Sequence, residues 1–552
     1  MTPYHQLSMG LQTLRALQVL IADDFENSRQ SIRKILLSVG VENIHVTATG
    51  KGVLDECKSK KFDLILCDFN LGHGKNGQQV LEEVRDLGYL KETALFVIIS
   101  AETSRDVVMG IMEAGPDDYL TKPFTQSVLV KRIERLVQQN GELAEVKKAL
   151  AKKNHQAVLG LCNQLIKGGS RYSAWCRRKM AEAFFEIKQF DKTKSLCQLV
   201  QSKRDLDWAM VLEARVMKET TSLSDAITHL NKVVAQFPNC IKAFDYLAQF
   251  LEEKGDSEQA QDFLESAVEL SPRVMARQQS LVSLSLANGD LDVALKSSQQ
   301  ALKLSTNSHF ASAEQYFLAA QVLSESIIGD KSAEGRKKAQ DAFALLNQAS
   351  KKFPEDPETV LNRTLIESQI YSSQGKRDQA NLALKEAKAM IDDHAGVLTP
   401  ELALEMGKVL YSTGQHEAAT EMFDHILNDD KVDKRLVAKT YAFLDEPVGL
   451  AARQKAKQDN LVGLNLYENK RYEDAIEAFK KAQKSSPIHP GLNMNLIQTA
   501  LKLMETTERN HTLIAICIDS LNRIKHISSR HKQYKRYRSL KSYVTKHFPQ
   551  SL

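Results

Sequence analysis

Several acidic residues, one hydroxyl and one lysine stand at the ends of short apolar segments near the N-terminus. They are Asp23 and Asp24 after QVLIA, Asp68 at the end of LILCD, Ser100 at the end of LFVIIS and Lys122 after DYLT. The carboxyl ends of parallel strands converge on one edge of an open sheet, so we expect these side chains to share one crevice. Carboxylates at close range raise one another's pKa values unless a cation lies among them. Oxygen ligands of this kind predict Mg²⁺ as the cofactor.

The same cluster has the composition of a phosphoryl-transfer site. A divalent ion and Lys122 together would neutralise the equatorial oxygens of an incoming phosphoryl group. Asp68 would then act as the nucleophile and form an acyl phosphate. His73 follows closely and has the type of a catalytic base, but an exposed loop residue explains it more simply. An aspartate pair before a helix is also commonly a cap, and only the joint placement of all these side chains favours the site.

The segments that must position this site alternate between strand and helix. Between residues 18 and 138, β-like runs such as QVLIA, NIHVTA and FDLILCDF are separated by helical stretches. This alternation predicts a parallel sheet with helices on both faces. The runs LILC and LFVII are apolar throughout, as strands covered on both faces must be. After Asn140 and Gly141, only helical periodicity continues.

These motifs resemble the receiver domain of bacterial two-component response regulators over residues 18–138. The matching segments are VLIADDFENSRQ, LILCDFNLGHGKNGQ, FVIISAE and PDDYLTKPF. The resemblance implies an α/β flavodoxin-like fold with a five-stranded, doubly wound parallel sheet. It also implies that Asp68 is the phosphoacceptor, that Asp24 and Asp68 bind Mg²⁺ directly, and that Asp23 acts through water.

The resemblance assigns roles to further residues. It implies that the backbone carbonyl of Asn70 reaches the metal, that Ser100 is the switch hydroxyl and that Lys122 binds the phosphoryl group. Tyr119 would be the switch aromatic, although a tyrosine considered alone is more often a core residue. Asn70 and Glu102 would tune loss of the phosphoryl group. The family also implies a cis peptide bond before the proline that follows Lys122.

Two features depart from the family pattern. The glycine after the acceptor, Gly77, lies nine residues beyond Asp68 instead of eight, so the loop LGHGKNG is one residue longer. Pro116 replaces the usual small residue before the last strand. Neither change removes a charged residue of the site, but the longer loop affects the metal and docking geometry.

A repeated template runs through the second part of the chain. Around Ala260, Gly255 lies five residues earlier, and Leu264, Ala267 and Pro272 lie four, seven and twelve residues later. Small residues allow two antiparallel helices to approach closely, glycine permits a left-handed turn, and proline ends the second helix. Copies of the template recur around Ala226, Ala294, Ala342, Ala380, Ala419 and Ala475, and weaker ones around Thr193 and Ala157.

The template resembles the tetratricopeptide repeat (TPR) family, most clearly in YLAQFLEEKGDSEQAQDFLESAVELSP and GLNLYENKRYEDAIEAFKKAQKSSP. One hairpin cannot bury its apolar face alone, so hairpins stack into an all-α TPR-like superhelical solenoid. An ordinary helical bundle is the alternative, and the register of residues 295–340 and 420–474 stays open. The expected boundaries are an arm at 1–17, the receiver at 18–138, a linker at 139–145, about nine hairpins at 146–490, and a C-terminal cap with a basic tail at 491–552.

Composition narrows the classes of function. Lys and Arg number 74 against 69 for Asp and Glu, so overall charge names no nucleic-acid or membrane partner. No apolar run approaches the ~20 residues that span a bilayer, and no secretory signal is recognised. The seven cysteines show no C-x-x-C pair, so neither a disulfide framework nor a zinc cluster is indicated. We therefore expect a cytoplasmic protein.

The basic C-terminal tail offers an alternative function. After Asp519 the sequence contains cations and no acid, and three tyrosines are interleaved with them and could stack on bases. A solvated capping helix, with tyrosines packed on the last repeat, is the favoured interpretation. The residues that would contact an anionic partner are Arg530, Lys532, Lys535, Arg536 and Arg538.

No output enzyme is recognised, because the sequence lacks a P-loop, a zinc-protease helix and a nucleophile elbow. The prediction is a phosphorylation-gated signalling adaptor that is not an enzyme, apart from self-dephosphorylation. Its partners would be a histidine kinase or phosphotransfer protein and a protein or peptide in the TPR groove. Either the repeats dock on the receiver's switch face or two receivers pair through it. The alternatives are phospho-regulated RNA or DNA binding through the tail, and a phosphate sink without output.

Overall fold

The computed structural model describes residues 14–202, 204–328, 330, 332–394, 396–448, 450–506, 511–529 and 531–548. The chain forms two compact units. The first contains the residues up to Ala248 together with Asp262–Gln278 and Lys303–Ala311. The second contains Gln249–Gln261, Gln279–Leu302 and the residues from Ser312 onward.

The first unit begins with a five-stranded parallel sheet in the order β2-β1-β3-β4-β5. The strands are β1 Gln18–Ala22, β2 Asn43–Thr47, β3 Leu64–Asp68, β4 Leu95–Ser100 and β5 Asp118–Thr121. Every residue of β3 and β4 is buried, as expected for strands with helices on both faces. The intervening helices are α1 Glu26–Ser38, α2 Gly50–Ser59, α3 Gly77–Asp86 and α4 Arg105–Ala114. The predicted doubly wound α/β fold is confirmed.

Strand register places the predicted site residues at one edge of this sheet. Ala22 of β1 pairs with Cys67 of β3, so Asp23 and Asp68 leave adjacent strands at the same level. Asp68 in turn pairs with Ile99, the residue before the end of β4. The apolar cores on the two sides of the sheet hold these strand ends in place.

A single helix, α5 Gln126–Ala151, runs through residues 139–145, which the sequence predicts as a linker. These residues are therefore helical, and no break separates the receiver from the repeats. Gly141 costs only about 1 kcal/mol in a helix interior. Leu143 and Val146 are buried against Val158 and Cys162, and this packing outweighs the glycine's preference for a break.

The remainder of the described chain is helical. Its helices are α6 His155–Lys167, α7 Ser173–Glu186, α8 Phe190–Gln201, α9 Asp207–Thr220, α10 Leu223–Gln236, α11 Ile241–Lys254, α12 Ser257–Leu270, α13 Met275–Asn288, α14 Leu291–Ser305, α15 Ala313–Ser326, α16 Ala333–Lys352, α17 Pro357–Ser373, α18 Arg377–Asp393, α19 Pro400–Ser412, α20 His416–Asn428, α21 Lys434–Asp445, α22 Leu450–Glu468, α23 Tyr472–Ser485, α24 Pro490–Thr506, α25 His511–Arg523 and α26 Tyr534–His547. None of the described helices is long and apolar enough to cross a membrane.

The small residues of the repeat template lie where helices meet. Fully buried anchors are Thr193, Ala226, Ala260, Ala294, Ala342, Ala380, Ala419 and Ala475. Ala157, the anchor of the weakest copy, is only half-buried. The template glycines Gly255, Gly289, Gly375 and Gly414 have positive φ values, as the left-handed turn between two helices requires. These features agree with an all-α TPR-like solenoid.

The two stretches of open register differ from regular hairpins in different ways. In residues 295–340, the connections before and after α15 are longer than in the neighbouring hairpin, and α16 extends to 20 residues. In residues 420–474, the additional 12-residue helix α21 precedes the 19-residue helix α22. Longer connections together with a longer helix account for the first departure from the 33- or 34-residue period, and an inserted helix accounts for the second.

Candidate phosphoacceptor site

Asp23 lies at the base of the site, directly after β1, and its side chain is buried. Its Oδ1 accepts a hydrogen bond from the N–H of Phe25 at 2.9 Å. Its Oδ2 accepts from the hydroxyl of Ser28 at 2.5 Å and from Nζ of Lys122 at 2.7 Å. Because both carboxylate oxygens have protein partners, Asp23 is held in one orientation and retains little capacity for a direct metal bond.

Lys122 joins Asp23 to Asp68. Its Nζ lies 2.6 Å from Oδ2 of Asp68, whose Oδ1 accepts from the N–H of Asn70 at 3.3 Å. Burial raises the pKa of Asp68, although the hydrogen bond and charge of Lys122 oppose that rise. Burial by itself would lower the pKa of Lys122, but its hydrogen bonds to the two aspartates outweigh burial and raise that pKa. The lysine therefore stays cationic beside the carboxylate that the sequence predicts to be the acceptor.

Asp24 completes an acidic cluster with capacity for a cation. One carboxylate oxygen from each of Asp23, Asp24 and Asp68 lies within 4.8 Å of the others. Within the described part of the chain, Oδ1 of Asp24 is buried and has no hydrogen-bond partner. An unpartnered buried carboxylate oxygen costs free energy, and a hard divalent cation would satisfy it. The residues present fit Mg²⁺.

Ser100 and Tyr119 are joined through the segment after β4. Ser100 is buried, and its Oγ accepts a hydrogen bond from the N–H of Glu102 at 3.0 Å. The hydroxyl of Tyr119 donates to the carbonyl oxygen of Glu102 at 2.5 Å. Burial is the main cause that raises the pKa of Tyr119. A movement of Ser100 would therefore disturb the same residue that holds the tyrosine ring.

The loop after Asp68 packs closely against the site. A side chain at Gly77 would collide with the carbonyl oxygen of Asp68, so only glycine fits there. The side chain of Asn70 is exposed, and its Oδ1 accepts from the N–H of Gly72 at 3.3 Å. His73 is exposed, in agreement with the simpler of its two sequence interpretations.

The bond between Lys122 and Pro123 is cis, as the receiver resemblance implies. Two contacts of the site were not predicted from the sequence. The hydroxyl of Ser28 and the guanidinium of Arg29 bind the side chain and the backbone carbonyl of Asp23, respectively. Their signal was the polar triplet NSR in the first turn of the helix after the aspartate pair.

The C-terminal helix α26 packs on the last hairpin through one face. Tyr537, Leu540 and Val544 are buried in one cluster with Met494 and Ile497. The guanidinium of Arg536 donates to Asn495 at 2.8 Å and to Gln498 at 2.5 Å, and Lys532 donates to the carbonyl of Gly255 at 2.6 Å. Lys535 and Arg538 are exposed. Arg530 lies outside the described residues. This arrangement is that of a capping helix.

The comparisons with known proteins match two families, one at the sheet-containing segment and one in the helical part of the chain. Residues 19–134 match the family of the response regulator receiver domain, and residues 243–274 and 460–489 match the tetratricopeptide repeat. The chemotaxis protein CheY of Pseudomonas aeruginosa is 32% identical over 120 residues, which are 22% of this chain and 95% of that protein. CheY-3 of Vibrio cholerae is 28% identical over 120 residues, 22% of this chain and 91% of that protein.

Solved structures of receiver proteins also match part of the chain. The receiver domain of the Francisella response regulator 1452 is 28% identical and covers 22% of this chain and 98% of that chain, with a TM-score of 0.21. Vibrio cholerae CheY4 is 25% identical and covers 21% of this chain and 96% of that chain, with a TM-score of 0.20.

The chain belongs to the response regulator receiver family through its N-terminal domain. It combines that domain with tetratricopeptide repeats further along. A receiver domain implies phosphorylation-based two-component signalling, and the repeats imply interaction with proteins.

Proposed function

We propose that this protein is a phosphorylation-gated signalling adaptor. One observation carries the proposal: Lys122 contacts Asp68 and Asp23, while a buried oxygen of Asp24 lies beside them without a partner. An unpartnered buried carboxylate oxygen costs free energy, so its position beside two further aspartates favours a bound cation. The arrangement provides a nucleophile, a fixed cation and a place for Mg²⁺.

The acceptor chemistry follows from these contacts. An oxygen of Asp68 forms a bond to phosphorus as the bond from phosphorus to a histidine nitrogen of the donor kinase or phosphotransfer protein breaks. Lys122 stabilises the charge on the transferred oxygens. Asp24, Asp68 and the backbone carbonyl of Asn70 would hold Mg²⁺, with Asp23 acting through water. When bound, the ion supplies further charge neutralisation of the phosphoryl oxygens.

The proposed switch uses Ser100 and Tyr119. Phosphorylation adds about −1.5 to −2 charge and three acceptor oxygens. The hydroxyl of Ser100 would turn toward these oxygens, give up the N–H of Glu102 and free the tyrosine to rotate inward. A coupling free energy of about 1–3 kcal/mol would change affinity for a partner about 5- to 150-fold. Asn70 and Glu102 are exposed beside the site and would tune hydrolysis of the phosphoryl group, the one reaction that we assign to the protein itself.

Phospho-regulated binding of a protein or peptide in the TPR groove is the output that we favour. Nucleic-acid binding through the tail is less well supported, because Arg536 and Tyr537 are engaged with the last hairpin. A receiver that only drains phosphate, or that forms homodimers through its switch face, stays an alternative.

Two measurements test the proposal. Intact mass spectrometry after incubation with acetyl phosphate and Mg²⁺ should show one phosphoryl adduct. Pull-downs from lysate with wild type and Asp68→Ala, each with and without the phosphodonor, should then differ only for the phosphorylated wild type. Equal recovery of the same proteins in all four samples would refute gating.

A further inference from the structure

Part of the receiver surface is covered by repeat segments of the same unit. Arg277 makes the most buried of these contacts, with only 5% of its side chain exposed. Its guanidinium lies 2.8 Å from carboxylate oxygens of both Glu113 in α4 and Asp245 in α11. It also donates to the carbonyl of Ser271 at 3.1 Å. Because a buried arginine with two carboxylate partners and a carbonyl is fully satisfied, α4 is held firmly on this repeat.

A second contact reaches the residue that follows the phosphoacceptor. The guanidinium of Arg273 lies over the ring of Phe69, 5.7 Å from its centre. The same arginine packs on α4, where a Cβ on Gly110 would lie only 3.0 Å from Cβ of Arg273. The repeat therefore contacts the start of the loop that leaves Asp68.

The end of that loop is bonded to the turn at residues 304–309. Nζ of Lys75 donates to the carbonyl of Asn307 at 2.6 Å, and the side-chain amide of Asn307 donates to the carbonyl of Gly74 at 3.0 Å. Gln79 donates to the carbonyl of Thr306 at 2.9 Å. Asn307 adopts a left-handed conformation with φ of 63°, which asparagine tolerates better than most residues. The turn thus presents one side chain to the loop in a fixed orientation.

The other end of the loop rests on the acidic cluster. The N–H of Asn70 donates to Asp68, and a Cβ on Gly72 would lie 3.4 Å from Oδ2 of Asp24. A phosphoryl group on Asp68 brings three oxygens and negative charge into this space, and the loop backbone must adjust to them. Since the loop is short and its far end is bonded to Asn307, the adjustment reaches the repeat turn.

We infer that the loop at residues 70–76 couples phosphorylation of Asp68 to the repeats. In the unphosphorylated protein it holds the turn at 304–309 against the receiver, and phosphorylation releases that turn. The loop is glycine-rich and one residue longer than in the family pattern, and this extra length allows it to contact Asn307. The inference rests on the proposed function of Asp68 and names how that site regulates the repeats.

Hydrogen–deuterium exchange of the full-length chain tests this coupling. With acetyl phosphate and Mg²⁺, amides of residues 303–311 should exchange about 5-fold faster or more in the wild type, and not in Asp68→Asn. Asn307→Gly keeps the left-handed backbone conformation but removes the hydrogen bond from the side-chain amide of Asn307 to the carbonyl of Gly74. Because the hydrogen bonds from Lys75 and Gln79 to the turn remain, this variant should exchange faster than wild type at 303–311 without a phosphodonor and show a smaller further increase with it.

Lys188→Gly is the matched control, because Lys188 is also a non-glycine residue in a left-handed turn, with φ of 58°. It should behave as wild type. Coupling is reciprocal for binding free energies, so Asn307→Gly should also bind the phosphoryl analogue beryllofluoride, in the presence of Mg²⁺, more tightly than Lys188→Gly. If intact mass shows full phosphorylation and exchange at 303–311 does not change, the loop is not the coupling element. If no adduct forms at all, the proposed function itself fails.

Discussion

Two regions of this protein bury a carboxylate among charged or titratable partners, with opposite results. In the second unit, Asp445 at the end of α21 accepts hydrogen bonds from His526 and His531 at 3.0 Å. Burial would raise the pKa of Asp445, but these histidines outweigh it and lower that pKa. In the receiver, burial prevails and the pKa of Asp68 rises although Lys122 lies 2.6 Å away.

The two regions differ in whether every buried carboxylate oxygen has a hydrogen-bond partner. Nδ1 of His531 accepts from the N–H of Gln533, so Nε2 carries the proton that it donates to Asp445. That carboxylate is satisfied and ties the segment before α26 to α21. In the receiver, a buried oxygen of Asp24 has no partner within the described residues. In our proposal, the satisfied carboxylate of Asp445 is structural, whereas the acidic cluster with an unpartnered oxygen receives an incoming group.

The largest expected effect is on phosphorylation, which should depend on Asp68 and not on Asp445. Asp68→Asn should abolish phosphorylation by acetyl phosphate, because the amide cannot act as the acceptor, while the fold is retained. Asp445→Asn should be phosphorylated at the wild-type rate. Intact mass spectrometry measures both. An adduct that persists in Asp68→Asn would place the acceptor elsewhere.

The second-largest expected effect is on stability, and it distinguishes Asp445 from Asp68. Asp445→Ala removes the partner of two histidines, one of them fully buried, and should lower the free energy of unfolding of the second unit by about 3 kcal/mol. Urea denaturation measures this change. Phosphorylation of Asp68 should be unaffected. A variant as stable as wild type would show that the histidine cluster contributes little.

Lys122→Ala tests whether the receiver cation is structural or functional. We expect the fold to be retained, because Asp23 keeps its bonds to Ser28 and the N–H of Phe25. Phosphorylation should no longer change hydrogen exchange in the repeats, which is a loss of about 1–3 kcal/mol of coupling. Circular dichroism and exchange measure the two properties. Loss of folding would instead assign Lys122 a structural role.

A smaller effect follows from pH. The lowered pKa of Asp445 contributes stability that is complete above its ordinary pKa and is lost as pH falls through the lower folded value. The raised pKa of Asp68 has the opposite sign, since its burial penalty is relieved as pH falls through the raised value. Urea unfolding between pH 6 and pH 3 should therefore have a shallower acid dependence in Asp445→Asn than in wild type, and a steeper one in Asp68→Asn.

The smallest effect concerns His73. Its side chain is exposed. His73→Ala should change the phosphorylation rate less than about 2-fold and stability by less than about 0.5 kcal/mol. A large loss of phosphorylation would reveal a catalytic base in the loop.

The acceptor cluster could be predicted from the sequence because strand ends are local features. Apolar runs define β1, β3, β4 and β5, and parallel pairing then brings Asp23, Asp68, Ser100 and Lys122 to one edge. The spacing of buried alanines predicted the helical hairpins for the same reason. Periodicity over a few residues determines which side chains share a face.

The helical state of residues 139–145 and the bond between Gly74 and Asn307 were decided by tertiary structure. The first depends on how Leu143 and Val146 pack against α6, which outweighs the local preference of Gly141. The second joins residues 233 positions apart. Such long-range contacts depend on how all the intervening hairpins pack, and local sequence patterns do not predict that packing.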